Sequence, residues 1–225
     1  MQLIICDFDG TIYLEETPRL FLNVLAQHPQ KRNQVKALYL SYSWLYILYK
    51  LGLCREMMRR RVVDGIADIL KGMDQTELNE FFDTCVAIAQ KKFNPEIIKR
   101  IKDHLDSGAE VLLLSGAFSP FLALVAKKLG IQYWLGTELE LSNGCVTGKV
   151  LSFISGPEKV TKLKEFLQAK EKAGVKLDLK DSYAYADDFR DLPLLSLVGH
   201  PVAVNPDSKL YKLAVENRWE IIRTE

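Results

Sequence analysis

The sequence predicts an α/β fold: a Rossmann-like, mostly parallel sheet with helices on both faces, an inserted helical-bundle cap and a small β-hairpin. Three observations carry that expectation. A short apolar run at residues 3–6 reads as a strand that belongs with later strands, yet residues 13–93 give only helix signals. From residue 94 onward, strand and helix patterns alternate. Alternation of that kind implies parallel strands joined by crossover helices. The hairpin comes from "TELELSNGCVTGKV", where Asn143-Gly144 sits between alternating residues. The core is therefore expected at residues 1–12 and 94–225, and the cap at 13–93.

Each element has a local reason. Thr17 followed by Pro18 reads as an N-cap with proline in the first turn, and His28-Pro29 stops that helix. A Tyr/Leu-rich helix follows and ends at Gly52, then a basic one from Arg55 to Lys71. Asp74-x-x-Glu77 resembles a capping box. The helix it starts carries Leu78, Phe81, Phe82, Cys85 and Ile88 or Ala89 on one face. "NPEIIKRIKDHLDSG", "SPFLALVAKKLG" and "GPEKVTKLKEFLQAKEKAG" read as capped helices; "AEVLLLSG", "SYAYADD" and "HPVAVNPD" read as strands running into loops. "DLPLLSLVG" is a short helix, and a last helix and "WEII" close the chain.

Bulk properties exclude several function classes. Lys+Arg 30 against Asp+Glu 29 gives a formal charge of +1, so no global field steers the chain to nucleic acid or an anionic surface. The four cysteines, Cys6, Cys54, Cys85 and Cys145, form no CxxC pair, which indicates neither a zinc site nor a disulfide framework. Met1 leads directly into the first strand without a basic leader, so a reducing, cytoplasmic location is expected. The stretch "VKALYLSYSWLYILYKLGL", residues 35–53, is apolar, but Lys36, Ser41, Ser43 and Lys50 interrupt it. It reads as a buried or half-buried helix without stable membrane insertion.

Chemistry concentrates where strands end, the rim at which open parallel sheets bind ligands. The first strand delivers Asp7, Asp9, Gly10 and Thr11; the next delivers Ser115-Gly116. Lys159 starts a helix, and "SYAYA" delivers Asp187, Asp188 and, a turn later, Asp191. Asp7 and Asp9 are two apart and point the same way in extended backbone. Like charges at that range call for a cation, and oxygen donors suit Mg²⁺. Mg²⁺ with carboxylates, a lysine and a hydroxyl is suited to handling a phosphate group.

These residues resemble the haloacid dehalogenase superfamily. "DFDGT" matches its first motif, "LLLSG" its second, Lys159 in "GPEKVTKL" its third and "YADDFRDLPLL" its fourth, in order. Within it the chain looks most like the phosphoserine-phosphatase-like subfamily, IB, and "NPDSKLYKLAVENRWEI" strengthens that reading. The resemblance implies a Mg²⁺-dependent phosphatase with Asp7 as nucleophile and Asp9 as general acid and base. It implies that Thr11, Ser115, Gly116 and Lys159 bind the phosphoryl group. It also implies a metal site of Asp7, the Asp9 carbonyl, Asp187 and Asp191. The fourth motif usually has glycine before its first acid; here Ala186 precedes it and Arg190 sits before Asp191, leaving Asp188 and Arg190 without assigned roles.

In the cap, Glu16 stands where phosphoserine phosphatases carry an acid for the substrate amine, and Arg61 in "MRRRVV" resembles their carboxylate-binding arginine. Plainer roles stand beside these: Glu16 as the residue that simply precedes the Thr17 cap, and Arg59, Arg60 and Arg61 as solvated side chains on a bundle helix. Cys6 reads as a buried strand residue, and His28, His104 and His200 as surface or loop residues. The expected partner is a small phosphorylated metabolite, phosphoserine among the candidates, with the chain a monomer or homodimer. A phosphotransferase or mutase on the same scaffold, or a non-catalytic membrane-peripheral protein using the 35–53 helix, are the alternatives.

Overall fold

The structure is a computed structural model that describes residues 1–50 and 55–224, with the side chains of 42–50 and 55 outside the description. Seven strands form one sheet: β1 (Leu3–Cys6), β2 (Glu110–Phe118), β3 (Tyr133–Ser142), β4 (Cys145–Ser152), β5 (Tyr183–Ala186), β6 (His200–Val204) and β7 (Glu220–Ile222). Their order is β4-β3-β2-β1-β5-β6-β7. Among the described residues, β3–β4 is the one antiparallel pair of strands in this sheet. The expected mostly parallel α/β sheet is the one present.

Central β1 is buried on both faces, which is why its four residues are all apolar. Ile4 and Cys6 face one layer, with Val111 and Leu113 of β2. Leu3 and Ile5 face the other, with Leu112 and Leu114. Helices α5 (Pro95–Asp106) and α6 (Ser119–Leu129) cover the first face through Ile97, Ile101, Phe121 and Val125. Helices α7 (Pro157–Lys172), α8 (Leu192–Leu195) and α9 (Ser208–Glu216) cover the second through Leu163, Leu194 and Leu210.

Between β1 and β2 lie α1 (Thr17–Gln27), α2 (Arg32–Lys50), α3 (Arg55–Leu70) and α4 (Gln75–Ala89). The capping box at Asp74 and Glu77 forms as its spacing predicts. On α4, Leu78, Phe81, Phe82, Cys85 and Ala89 are buried, while Ile88 turns outward. These helices share the apolar layer of the sheet. Phe21 of α1 lies 5.1 Å from Phe121 and 5.7 Å from Phe118, ring centre to ring centre, with Phe82 at 5.6 Å. Aromatic pairs of this geometry contribute about 0.5–1.5 kcal/mol each beyond area burial. A second tie is backbone: the Gly72 N–H donates to Val146 and the Val146 N–H to Met73, both at 2.9 Å, so the α3–α4 joint extends the edge of β4.

Several expectations shift in detail. The hairpin forms at Asn143-Gly144, both with positive φ (51° and 79°), as a tight primed turn requires. However, β3 begins ten residues before the turn, and Tyr133 to Leu135 pair in parallel with β2. His104 is a half-buried helix residue whose Nε2 lies 2.9 Å from the Tyr185 hydroxyl, and His200 stacks on Tyr183 at 4.5 Å. In α2, Val35 is buried while Tyr39 and Leu40 are 54% and 74% exposed. The predicted end of that helix at Gly52 lies outside the described residues. Among the described residues, no helix is long and apolar enough to cross a membrane.

Candidate active site

The chain leaves β1 at Asp7, whose N–H continues the ladder to Tyr185 at 3.0 Å. Gly10 follows with φ +72°, and a Cβ there would overlap the Asp187 carboxylate. Both conditions select glycine. The turn brings Asp9 against the start of α1, where Oδ1 accepts from the Thr17 N–H at 3.0 Å and Oδ2 from its hydroxyl at 2.8 Å. Thr17 is therefore the first helical residue and Glu16 holds the cap position, without a side-chain cap bond. The sequence reading of Thr17 as the cap is corrected. Asp9 caps the helix from a distance, where the N-terminal dipole favours a carboxylate. Burial, then the nearby Glu16 and Asp7 charges, push the Asp9 carboxyl well above its ordinary range, against the pull of Thr17.

Lys159 lies buried at the start of α7, with Nζ 2.9 Å from Asp7 Oδ2 and 2.7 Å from Asp191 Oδ2. Burial works against this ammonium, but Asp191 and Asp7 outweigh it and hold it charged above the usual lysine range. Asp7, Asp187 and Asp191 can each offer a carboxylate oxygen within 4.8 Å of the others. Three carboxylates against one ammonium leave two excess negative charges, the charge of one divalent cation. Burial, then Asp7 and Asp188, push Asp187 up to about 9; burial raises Asp191 to about 7 despite Lys159. An all-oxygen donor set with that deficit fits a hard cation such as Mg²⁺. The Asp9 carboxylate, held by Thr17, stands outside this cluster among the described residues.

Ser115 and Gly116 line the same cavity. The Ser115 hydroxyl accepts from the Ala117 N–H at 3.3 Å, and the Gly116 carbonyl accepts from Thr137 at 2.8 Å. A Cβ on Gly116 would press on the Ile154 carbonyl. Thr11, expected to bind phosphate, is fully buried and outside the cavity lining, and among the described residues its hydroxyl has no hydrogen-bond partner. The turn after Gly10 folds it inward, with its N–H on the Phe8 carbonyl at 3.3 Å.

The cavity, about 390 Å³, lies between these strand ends and the inserted helices. Glu16 lines it, as do Pro18, Arg19, Met58, Arg59, Val62 and Val63. Arg61 does not; it is exposed on α3. Two residues along a helix turn a side chain about 200° around the axis, so Arg59 and Arg61 occupy opposite faces. Of the three consecutive arginines of α3, Arg59 is the one that lines the cavity, and Arg19 of α1 lines it as well. Sequence reasoning also missed Ser155 and left Arg190 open. Arg190 bonds Asp188 through Nε at 2.8 Å and Nη2 at 2.9 Å, and both line the cavity. Burial raises Asp188, but Arg190 and Arg59 bring it below the usual carboxylate range. The one available signal was the departure of "ADDFRD" from the fourth motif.

A parallel α/β sheet with a buried acid–lysine–acid constellation at its switch point defines a hydrolase-type site under a helical insertion. The chain belongs to the haloacid dehalogenase-like hydrolase family, whose model matches residues 4–196. It is 35% identical over 145 residues to "Phosphoserine phosphatase SerB1" of Mycobacterium tuberculosis, covering 60% of this chain and 46% of the relative. It is 36% identical over 124 residues to the histidinol-phosphatase of Neisseria meningitidis serogroup C, covering 54% and 55%. The chain thus spans about half the length of the curated relatives it matches. A Bordetella pertussis protein of unknown function has the same fold, with a TM-score of 0.81, 23% identity and coverage of 98% and 97%.

Proposed function

We propose that the protein is a Mg²⁺-dependent phosphatase that hydrolyses small phosphate monoesters through an aspartyl-phosphate on Asp7. The observation that carries this reading is the buried Lys159 ammonium, bonded to Asp7 and Asp191, beside an Asp9 turned onto Thr17. A nucleophile and a proton-transfer group with separate partners can play separate roles.

In the first step Asp7 attacks phosphorus, the ester P–O bond breaks, and protonated Asp9 gives its proton to the leaving oxygen. In the second, Asp9 takes a proton from water, which attacks phosphorus and releases phosphate from Asp7. Ser115 and the Gly116 N–H bind phosphoryl oxygens, and Lys159 offsets their growing charge. Asp7, Asp187, Asp191 and the Asp9 carbonyl would hold Mg²⁺, which supplies positive charge against the phosphoryl oxygens. Relatives named for phosphoserine and histidinol phosphate support a small phosphorylated metabolite as substrate. Glu16 on the cavity wall supports phosphoserine among the candidates. A cytoplasmic monomer or homodimer completes the reading.

The test is phosphate release from a broad panel of phosphomonoesters, with and without Mg²⁺. Turnover should require the ion, and Asp7→Asn should reduce it by several orders of magnitude in a folded protein. Silence across the panel, or full activity in excess chelator, overturns the reading.

A further inference from the structure

The near-zero net charge conceals a segregation. None of the 29 acids falls between residues 17 and 55, where an even spread would put about five, while that stretch holds six of the 30 Lys and Arg. The rest of α3 adds Arg59, Arg60 and Arg61 but also Glu56, Asp64 and Asp68, so residues 17–70 carry nine cations, three acids and a charge of +6. The remainder of the chain carries −5. Two of the three acids are engaged: Arg60 Nε bonds both oxygens of Asp64 at 3.0 Å, and Glu56 accepts from the Ser155 hydroxyl at 3.1 Å. The positive excess therefore belongs to α1, α2 and the start of α3.

Within this region α2 combines charge with exposed apolar surface. Val35 is buried, and Leu38 lies against Gly65 of α3, where a Cβ would come within 2.3 Å of Leu38 Cδ1. Arg32, Lys36, Tyr39 and Leu40 are exposed, and Leu40 is the most exposed large apolar side chain among the described residues. The helix sequence continues with Tyr42, Trp44, Tyr46 and Tyr49, so its 19 residues hold four of the nine tyrosines, one of the three tryptophans and no acid. An exposed leucine by itself is ordinary. Tyr and Trp interleaved with leucine, flanked by Lys and Arg and free of acids, is the composition of a helix that lies in the boundary between bilayer and water. Arg32, Lys36 and Lys50 break the apolar run, and among the described residues no helix can cross a membrane, which suits lying on the surface rather than spanning it. A second copy of this chain fits less well, because in a two-fold dimer the same positive faces would meet.

We propose that α2 docks the protein reversibly on an anionic bilayer, with Tyr39 and Leu40 at the headgroup boundary and Arg32 and Lys36 against the lipid phosphates. The attraction is local: the −5 of the remaining chain cancels it in the net charge but not at the face that α2 presents. Since α2 packs on α3, whose Met58, Arg59 and Val62 line the cavity, the docked face adjoins the candidate active site.

The experiment is co-sedimentation of the full chain with vesicles of phosphatidylcholine alone and of equimolar phosphatidylcholine and phosphatidylglycerol, at low and at physiological salt. The anionic vesicles should bind the protein at least about tenfold more tightly than the neutral ones, and salt should weaken that binding. Arg32→Gln and Lys36→Gln should each weaken it about fivefold, and Leu40→Ser severalfold through lost apolar burial. All three positions are exposed, so the melting temperatures should match the wild type and show that the fold is intact. Lys212→Gln, on α9, should leave vesicle binding unchanged. No binding to anionic vesicles at low salt overturns the proposal, as do equal binding to both lipids and an equal loss in Lys212→Gln. A dimer that Leu40→Ser dissolves, without vesicle binding, assigns the face to a second copy instead; binding of poly-L-glutamate without vesicle binding assigns it to an acidic protein. None of these outcomes depends on turnover, so the docking surface and the phosphatase reading stand or fall separately.

Discussion

Both carboxylate oxygens of Asp9 are taken by a single residue, Thr17, through its N–H at 3.0 Å and its hydroxyl at 2.8 Å. Asp7, two residues away, is held instead by Lys159. Two acids that leave the same strand side by side thus acquire different partners and different charge environments. Separate partners for neighbouring acids are what a division between nucleophile and proton donor requires.

Replacing Thr17 by Val removes the hydroxyl and leaves the backbone bond. A hydrogen bond to an ionisable group contributes about 1.5–3 kcal/mol, so kcat should fall roughly tenfold or more. The Thr17 hydroxyl lowers the Asp9 pKa, so its loss should raise it further. The general acid must be protonated, hence the basic limb of the kcat–pH profile should move to higher pH. A profile that keeps its position would remove Thr17 from the control of Asp9.

Gly10 and Asp187 are packed so that no side chain fits between them. Gly10→Ala should displace the Asp187 carboxylate, and the positive φ adds about 1–2 kcal/mol of strain. The folded variant should lose most of the thermal stabilisation that Mg²⁺ gives the wild type. An undiminished Mg²⁺ response in Gly10→Ala would exclude Asp187 as a ligand.

The acid cluster ties metal binding to protons. Asp187 is raised to about 9 and Asp191 to about 7, both first by burial. Folded values above the unfolded one mean that the metal-free fold binds extra protons. The stability they contribute is complete below about pH 4 and is lost as pH rises through about 7 to 9. A cation replaces those protons, so the rise in Tm caused by Mg²⁺ should grow from pH 6 to pH 9. Calorimetry in buffers of different ionisation enthalpy should detect proton release on binding. A pH-independent Tm shift with no proton release would contradict this account.

The strand ends were legible because chemistry there interrupts a strong apolar pattern. Asp7 and Asp9 after "LIIC", Ser115 after "VLLL" and Asp187 after "AYA" stand out by position alone, and all of them line one cavity. Lys159 was legible through the Gly-Pro before it. What stayed hidden depended on direction rather than position. Thr11 sits inside a motif, yet the turn after Gly10 sends its side chain into the protein. Thr17 looked like a cap, and only the three-dimensional return of α1 onto Asp9 reveals its partner. Arg59 and Arg61 are indistinguishable in "MRRRVV" until the phase of α3 against the cavity is known.

That phase gives a paired test with an internal control. Glu16 lines the cavity, and its charge follows burial as the next cause raising Asp9. Glu16→Gln removes that charge, so the Asp9 pKa should fall and the basic limb of kcat should move to lower pH, opposite to Thr17→Val. If the substrate carries an amine, Glu16→Gln should also lower kcat/KM for it more than for a plain aryl phosphate, because only the former offers a cation to Glu16. Arg61→Ala, on the far face of α3, should alter neither the limb nor the substrate ranking. The three variants, profiled on both substrates at saturating Mg²⁺, separate the possibilities. Opposite limb shifts with a silent Arg61 assign Asp9 as the proton-transfer group and Glu16 as its electrostatic neighbour. Shifts in the same direction would mean that the limb belongs to another group, with Asp187 the first to examine, since Asp7 and Asp188 bear on it rather than Glu16.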